Sequence, residues 1–196
     1  MRLGLFGGTF DPPHIGHLLA AIDAYEALTL DRLIFIPASA QPLKLGLVST
    51  EPRHRLAMVR LLAADDERFA VDPIEIEREG LSYTVDTLAE YARRHPSAER
   101  FLLVGADVPA AFAQWREPER ILELAQVVVM RRRLDGPDDG AAARWGFRTL
   151  ETRRVDVSST EIRTRASANL SIRGFVPDAI ADYIRSAGLY RQRAPC

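Results

Sequence analysis

The stretch from Leu3 to His17, L-G-L-F-G-G-T-F-D-P-P-H-I-G-H, leaves this chain few ways to fold. It opens as a short apolar run, which reads as a buried first strand of a parallel sheet. Gly7 and Gly8 then allow a sharp turn and a close backbone approach to a ligand, because no Cβ stands in the way. Pro12 and Pro13 stiffen the turn and hold off helix until about His14. From there Leu18, Ile22 and Tyr25 recur at helical spacing with Ala21 and Leu28 beside them, which predicts a helix from about Gly16. Two imidazoles, His14 and His17, thus fall at a helix N-terminus, beside a glycine turn, at the carboxyl end of a strand. Open α/β sheets bind anions and nucleotides at that place. The spacing is not the G-x-G-x-x-G of dinucleotide sites, and the lysine of a P-loop is missing.

The rest of the chain continues the alternation of strand and helix. Arg32 to Pro37 reads as a second buried strand, so the first unit is a right-handed βαβ crossover. Ala38 to Thr50 is a loop that carries Lys44, where nearly every other basic residue of the chain is arginine. Ser49 or Thr50 is expected to cap the next helix, with Glu51 favourable in its first turn and Leu56, Val59 and Leu62 on its buried stripe. Phe69 to Val71 and Ile74 to Glu77 read as strand, the second alternating apolar and charged. Ser82-Tyr83-Thr84 leads into a helix that runs to about Arg94. The run Phe101 to Asp107 repeats the opening theme, with Gly105 after a buried strand. The Asp107 carboxylate there can accept two hydrogen bonds from a ribose, or else cap the short turn through Pro109 to Phe112. Gln126 to Met130 is a further buried strand, and Leu134 to Gly146 is the most loop-like stretch. Arg148 to Leu150 and Arg154 to Val157 are short strand candidates. Ser158 followed by Glu161 is a capping box, and Pro177 to Ala187 is a helix opened by proline and closed by Gly188.

These elements predict an α/β fold with a doubly wound, mostly parallel sheet and helices on both faces. A length of 196 residues suits a single domain, 1–196. The net charge of −1 supplies no general basic field, which argues against a nucleic-acid partner. No apolar run approaches membrane-spanning length, so no membrane partner is expected. The only cysteine, Cys196, and the lack of a leader before the first strand suit a cytoplasmic protein. A homo-oligomer is compatible with the sequence.

The opening stretch resembles the G-G-T-F-D-P-x-H-x-G-H signature of the nucleotidyltransferase superfamily, whose H-x-G-H is shared with class I aminoacyl-tRNA synthetases. Three further segments are similar, in order and spacing, to the bacterial nicotinate-mononucleotide adenylyltransferases. They are Ser82-Tyr83-Thr84-Val85-Asp86-Thr87-Leu88, then Val104-Gly105-Ala106-Asp107 with Trp115, then Ser158-Ser159-Thr160-Glu161-Ile162-Arg163. The closing Val176-Pro177 to Tyr183-Ile184, with Gly188-Leu189-Tyr190, resembles that family's C-terminus. Gln41-Pro42-Leu43-Lys44 stands where the family has P-P-H-K, so Leu43 replaces the family's histidine.

The resemblance implies a Rossmann-like nucleotidyltransferase fold in which a helical part, about 158–190, completes the ATP site. It implies attack by a mononucleotide 5′-phosphate on the α-phosphorus of ATP, with nicotinate mononucleotide as acceptor and nicotinate adenine dinucleotide and pyrophosphate as products. The ATP side would be Gly7, Gly8, Thr9, Phe10, His17, Gly105, Asp107, Ser158, Ser159 and Arg163, with His14, His17 and Arg163 catalytic. On the acceptor side Lys44 would reach a phosphate, Thr84 would meet the carboxylate, Trp115 would stack on the pyridine ring, and Arg116 would contribute its backbone. Mg²⁺ would travel with ATP and pyrophosphate.

Such a reaction asks for placement more than covalent chemistry. A phosphate monoester has a second pKa of about 6, so the nucleophile is already ionised at neutral pH and needs no base. What it needs is in-line positioning and donors aimed at charge developing on the transferred group. Imidazole nitrogens, turn N–H groups and an arginine fork are such donors. A helix start at Thr84 offers N–H groups to a carboxylate without any cationic side chain. The plainer readings stay beside these: histidines and serines that only cap helices, and a tryptophan that is only core. Preference for nicotinamide mononucleotide, another acceptor such as phosphopantetheine, a non-catalytic nucleotide sensor and a synthetase fragment are the competing functions.

Overall fold

The first apolar run is buried at positions 3–6 without a break, as a central parallel strand covered on both faces must be. In the computed structural model, which describes residues 1–40, 50–78, 80–132 and 140–191, this strand is β1 (Arg2–Gly8). It pairs with β2 (Arg32–Pro37) on one side and β4 (Glu99–Gly105) on the other. With β3 (Phe69–Val71), β5 (Gln126–Arg132) and β6 (Arg148–Thr152) the described residues form a six-stranded sheet in the order β3-β2-β1-β4-β5-β6, parallel throughout. The connecting helices are α1 (Ile15–Ala27), α2 (Pro52–Ala63), α3 (Ile74–Glu77), α4 (Thr84–Arg94), α5 (Val108–Ala111) and α6 (Pro118–Leu124). They continue with α7 (Ala141–Arg144), α8 (Ser159–Ser167) and α9 (Asp178–Ser186). This is the doubly wound order, and its direction reverses between β1 and β4.

Period-two alternation along the strands divides the interior into two cores. Phe6, Leu33, Phe35, Phe101, Leu103 and Val128 meet Ala21 and Ala24 of α1, Met58 and Leu62 of α2, Ile162 of α8 and Ile180 of α9. Leu3, Leu5, Ile34, Ile36, Leu102 and Val127 face the other way, onto Val85 and Leu88 of α4 and Ile121 of α6. Gly188, at φ +62°, closes the last helix in the left-handed conformation that glycine tolerates best.

Four local expectations are corrected. Ile74–Glu77 is a helical turn, not a strand. Asp72 Oδ1 accepts the Ile74 N–H at 3.0 Å with Pro73 at the N-cap, and this Asx cap turns the chain into helix. Ile74 and Glu75 are then both buried, which neighbouring residues of a half-exposed strand are not. Arg154 to Val157 forms no strand, because Asp23 on α1 takes the Arg153 backbone N–H at 2.8 Å and its guanidinium at 2.6 Å, drawing the chain off the sheet edge. Thr50 does not cap α2; Glu51 holds the N-cap position without a side-chain bond, and Pro52 starts the helix, its fixed φ suiting that place. Ser49 lies outside the described residues. Within the expected loop 134–146, Ala141–Arg144 is a helical turn with Ala141 and Ala142 buried, in keeping with the high helix propensity of alanine. Residues 134–139 of that stretch lie outside the described ones.

Candidate active site

The segment that follows β1 curls over the strand's carboxyl end and runs into α1. Gly7 and Gly8 belong to the strand, and neither has a positive φ; the left-handed residue is Phe10, at φ +51°. The sharp turn expected of the glycines is therefore made at a phenylalanine. Its ring is locked edge-on against Phe6 at 5.6 Å, His17 at 5.1 Å and Phe35 at 5.9 Å, and such packing sustains an unfavourable backbone. Gly8 is glycine because a Cβ there would stand 3.0–3.3 Å from the Phe10 ring, whereas a Cβ on Gly7 would meet nothing within 4 Å. Thr9 Oγ1 is buried and has no hydrogen-bond partner among the described residues.

His14 and His17 do cap α1, and the manner of capping sets their chemistry. His14 Nδ1 accepts the Gly16 N–H at 3.1 Å, and His17 Nδ1 accepts the His14 N–H at 3.2 Å. The pair forms a capping box built from two imidazoles, with ring centroids 3.8 Å apart. An imidazole that accepts at Nδ1 carries its proton, when neutral, on Nε2. Both rings are thus Nε2–H donors at the N-terminus of a 13-residue helix, whose partial positive charge favours phosphate.

A second helix start, that of α8, is bolted to the same turn. Ser158 Oγ accepts the Glu161 N–H at 3.1 Å, the N-cap half of the expected box. Ser159 Oγ donates to the Pro12 carbonyl at 2.8 Å, and Arg163 donates to the Asp11 carbonyl at 2.7 Å and to Thr160 Oγ1 at 3.2 Å. Ser159 and Arg163, expected as phosphate ligands, are here seen gripping the turn itself. Two bonds leave most of the five-donor guanidinium fork available to a ligand.

Two residues that sequence reasoning passed over complete the frame. The buried Asp11 carboxylate accepts the Tyr190 hydroxyl at 2.6 Å and the Thr50 N–H at 3.0 Å. Burial first, and Asp11 second, hold the Tyr190 phenol far above its ordinary pKa. Arg55, wholly buried on α2, donates to four backbone carbonyls. Its only sequence signal is an arginine on the apolar face of an otherwise amphipathic helix.

Beyond the reversal of the sheet, β4 ends at Gly105. Asp107 occupies the N-cap position of α5 but makes no side-chain cap bond, so capping does not account for it. A Cβ on Gly105 would lie 2.6 Å from Asp107 Oδ1; the missing side chain lets that carboxylate fold over the strand end. The loops after β1 and β4 flank the crevice at the switch point, where ligands of open α/β sheets bind.

Thr84, Trp115 and Arg116 are also gathered. Thr84 opens α4, and its N-cap residue Tyr83 supplies no side-chain cap. The Arg116 guanidinium lies over the Tyr83 ring at 4.8 Å and 3.7 Å from Asp86. Asp86, close enough to the helix start to repel an anion, is therefore paired, although this exposed pair contributes little stability. Trp115 is half-buried, with its ring 5.4 Å from Phe112; it is partly core and partly surface. Beneath them Glu75 is buried, accepting from Thr87 Oγ1 at 2.8 Å, and burial raises its pKa. Lys44 and Leu43 lie outside the described residues. Among the described residues no helix is long and apolar enough to cross a membrane, and no three His, Cys, Asp or Glu side chains form a metal-holding group.

A 3-2-1-4-5-6 parallel sheet with two helix N-termini and paired imidazoles at its switch point defines a Rossmann-like nucleotide-binding transferase. The chain belongs to the cytidylyltransferase-like family, whose model matches residues 5–165. Its full-length relatives place it, within that family, with the nicotinate-nucleotide adenylyltransferases. The protein named "Probable nicotinate-nucleotide adenylyltransferase" in Gemmatimonas aurantiaca is 52% identical, over 98% of this chain and 93% of its own. Proteins of the same name in Roseiflexus sp. and Thermus thermophilus are 44% and 43% identical, covering 96% and 97% of this chain. Among solved structures, Plasmodium falciparum nicotinic acid mononucleotide adenylyltransferase complexed with NaAD shares the fold, with a TM-score of 0.81 at 17% identity over 96% of this chain and 97% of that one.

Proposed function

We propose that this chain joins ATP to nicotinate mononucleotide, giving nicotinate adenine dinucleotide and pyrophosphate. The observation that carries the reading is the phosphate turn, with imidazoles fixed as Nε2–H donors at one helix start and Arg163 brought in by another. The full-length relatives and their shared name support it.

In this reading the triphosphate lies along the turn, over the open space at Gly7. His14 and His17 donate from Nε2, and Thr9 and the remaining Arg163 donors meet the phosphates. Asp107 accepts from a ribose hydroxyl. The acceptor sits between the start of α4 and Trp115, with its carboxylate on the N–H groups near Thr84 and its 5′-phosphate directed at the α-phosphorus. The phosphate oxygen attacks in line and pyrophosphate leaves, with no proton to remove from the nucleophile. Preorganised donors hold the charge that develops, which is where most of the rate enhancement of such sites arises. Mg²⁺ enters as the counter-ion of ATP and pyrophosphate and neutralises charge on their oxygens. The turn's own donors are N–H groups, which suit the phosphate oxygens and not the ion. The reaction uses soluble substrates and is assigned to the cytoplasm.

The test is pyrophosphate release with ATP and each mononucleotide in turn. A carboxylate accepts from two N–H donors, whereas an amide must mispair its NH₂ at a cost of about 1–3 kcal/mol. The nicotinate form should therefore be favoured roughly tenfold to a few hundredfold in kcat/KM. Equal values, or a preference for the amide, would remove the nicotinate assignment and leave adenylyl transfer standing.

A further inference from the structure

Arg55 is the largest of the fully buried side chains, and among the described residues it has no carboxylate in ion-pair contact. Burying a charge without such a partner is expensive, and the guanidinium is held by backbone carbonyls on four of its five N–H donors. Nε donates to the Thr50 carbonyl at 2.8 Å, Nη1 to those of Thr9 at 2.8 Å and Ala38 at 2.6 Å, and Nη2 to that of Ser39 at 2.9 Å. Burial lowers its pKa while the charge on nearby Asp11 opposes that fall.

The four carbonyls belong to three segments. Thr9 is in the phosphate turn. Ala38 and Ser39 leave β2, and Thr50 leads into α2, so the two stems of the β2–α2 connection are held together. Thr50 is held at both backbone polar groups, its carbonyl by Arg55 and its N–H by Asp11 at 3.0 Å. The connection runs on to the acceptor side: the Ser39 N–H donates to Ser82 Oγ at 2.9 Å, and the Ser82 N–H donates to the Ala40 carbonyl at 2.8 Å. Ser82 stands two residues before Thr84. One guanidinium therefore ties the ATP turn to Ser39, and Ser39 and Ala40 in turn hold Ser82, two residues before the acceptor helix opens.

We propose that Arg55 is a positioning residue for adenylyl transfer, fixing the phosphate turn against the acceptor-side segment so that the two substrates meet in line. The proposal rests on the transferase reading above. A planar fork is required, because a lysine ammonium is a point charge that cannot reach four carbonyls on three segments at once.

The experiment compares the full-length wild-type chain with Arg55→Lys and Arg55→Gln, using ATP and nicotinate mononucleotide, well below the melting temperature of each protein. Circular dichroism and thermal melts give the folded fraction to which kcat is referred. A displacement of about 1 Å between reacting groups lowers the rate on the order of 10²-fold, so kcat should fall by about that factor while each KM moves less than about threefold. A loss of fold alone would not separate kcat from KM in this way. Wild-type kcat in a folded variant, or a loss confined to KM, overturns the proposal. Failure of both variants to fold also overturns it, since Arg55 would then determine the fold only. No turnover by the wild type with this pair refutes the transferase reading itself, an outcome distinct from an active wild type with equally active variants.

Discussion

Alanine at Gly7 and alanine at Gly8 should fail in opposite ways, although the two residues are adjacent in one strand. At Gly8 the new methyl would sit 3.0, 3.1 and 3.3 Å from three atoms of the Phe10 ring. That ring is 2% exposed and wedged among Phe6, Phe35 and His17, so it cannot swing aside. Overpacking of this kind costs about 1–3 kcal/mol, or roughly 2–12 °C of melting temperature at this chain length. Because Phe10 leans on His17, turnover should fall with it. At Gly7 there is nothing within 4 Å and no positive φ. Alanine there should stabilise the free protein by about 0.4–1 kcal/mol through the unfolded chain, raising the melting temperature by roughly 1–4 °C. If the open space receives the triphosphate, the same methyl should raise the KM for ATP at least about tenfold, a change of 1.36 kcal/mol. Thermal melts of the free proteins and initial rates against ATP are the assay. A Gly7→Ala protein with wild-type KM for ATP refutes the placement of the nucleotide, and a Gly8→Ala protein with wild-type melting temperature refutes the packing argument.

His17→Ala should lower kcat by about 10²–10³ through loss of one preorganised donor. It should also lower stability by about 1 kcal/mol, because its Nδ1 caps α1; near-normal turnover in a destabilised variant would leave His17 as a cap and nothing more. Glu75 gives a pH signature. Its folded pKa is raised by burial above the ordinary 4.5, so its contribution to stability is complete below that value and is lost as pH rises through the folded pKa. Glu75→Gln removes the titration, so the melting temperature of the wild type should decline relative to the variant as pH rises from about 4.5. Parallel curves for the two proteins across that window would show that burial does not perturb Glu75.

What could be read from the sequence was whatever is written in local pattern. β2 begins and ends at Arg32 and Pro37 as its apolar run does, and α1 starts one residue from the expected Gly16. The signature turn, the α4 start and the α8 start were placed by motif, and the sheet brings them to one end. Local pattern failed where two periods fit the same letters: Ile74–Glu77 alternates like a strand, but the Asp72 cap and Pro73 decide for helix. It also failed for Arg55, whose partners are carbonyls, groups every residue has and none advertises. Asp11 was visible as part of the turn, but its partner Tyr190 could be found only by folding the chain. The histidines show a subtler limit. Their residue type suggested donors and their position suggested caps, and the Nδ1 hydrogen bonds show the capping, which places the proton of a neutral ring on Nε2.

The bond between Asp11 and Tyr190 spans 179 residues, and that span has a consequence for synthesis. β1 and the turn after it leave a ribosome well before Tyr190, a turn residue beyond α9 whose hydroxyl holds that turn. At about 5–20 residues per second the interval between the two is roughly 9–36 s. During that time the nascent turn carries a carboxylate made for burial with one of its two donors still unsynthesised. Chains cut short before residue 190, by premature release or by a protease, keep the whole signature but lack the tie that closes it. A fragment can therefore retain the motif by which the protein is recognised and still lack the completed turn.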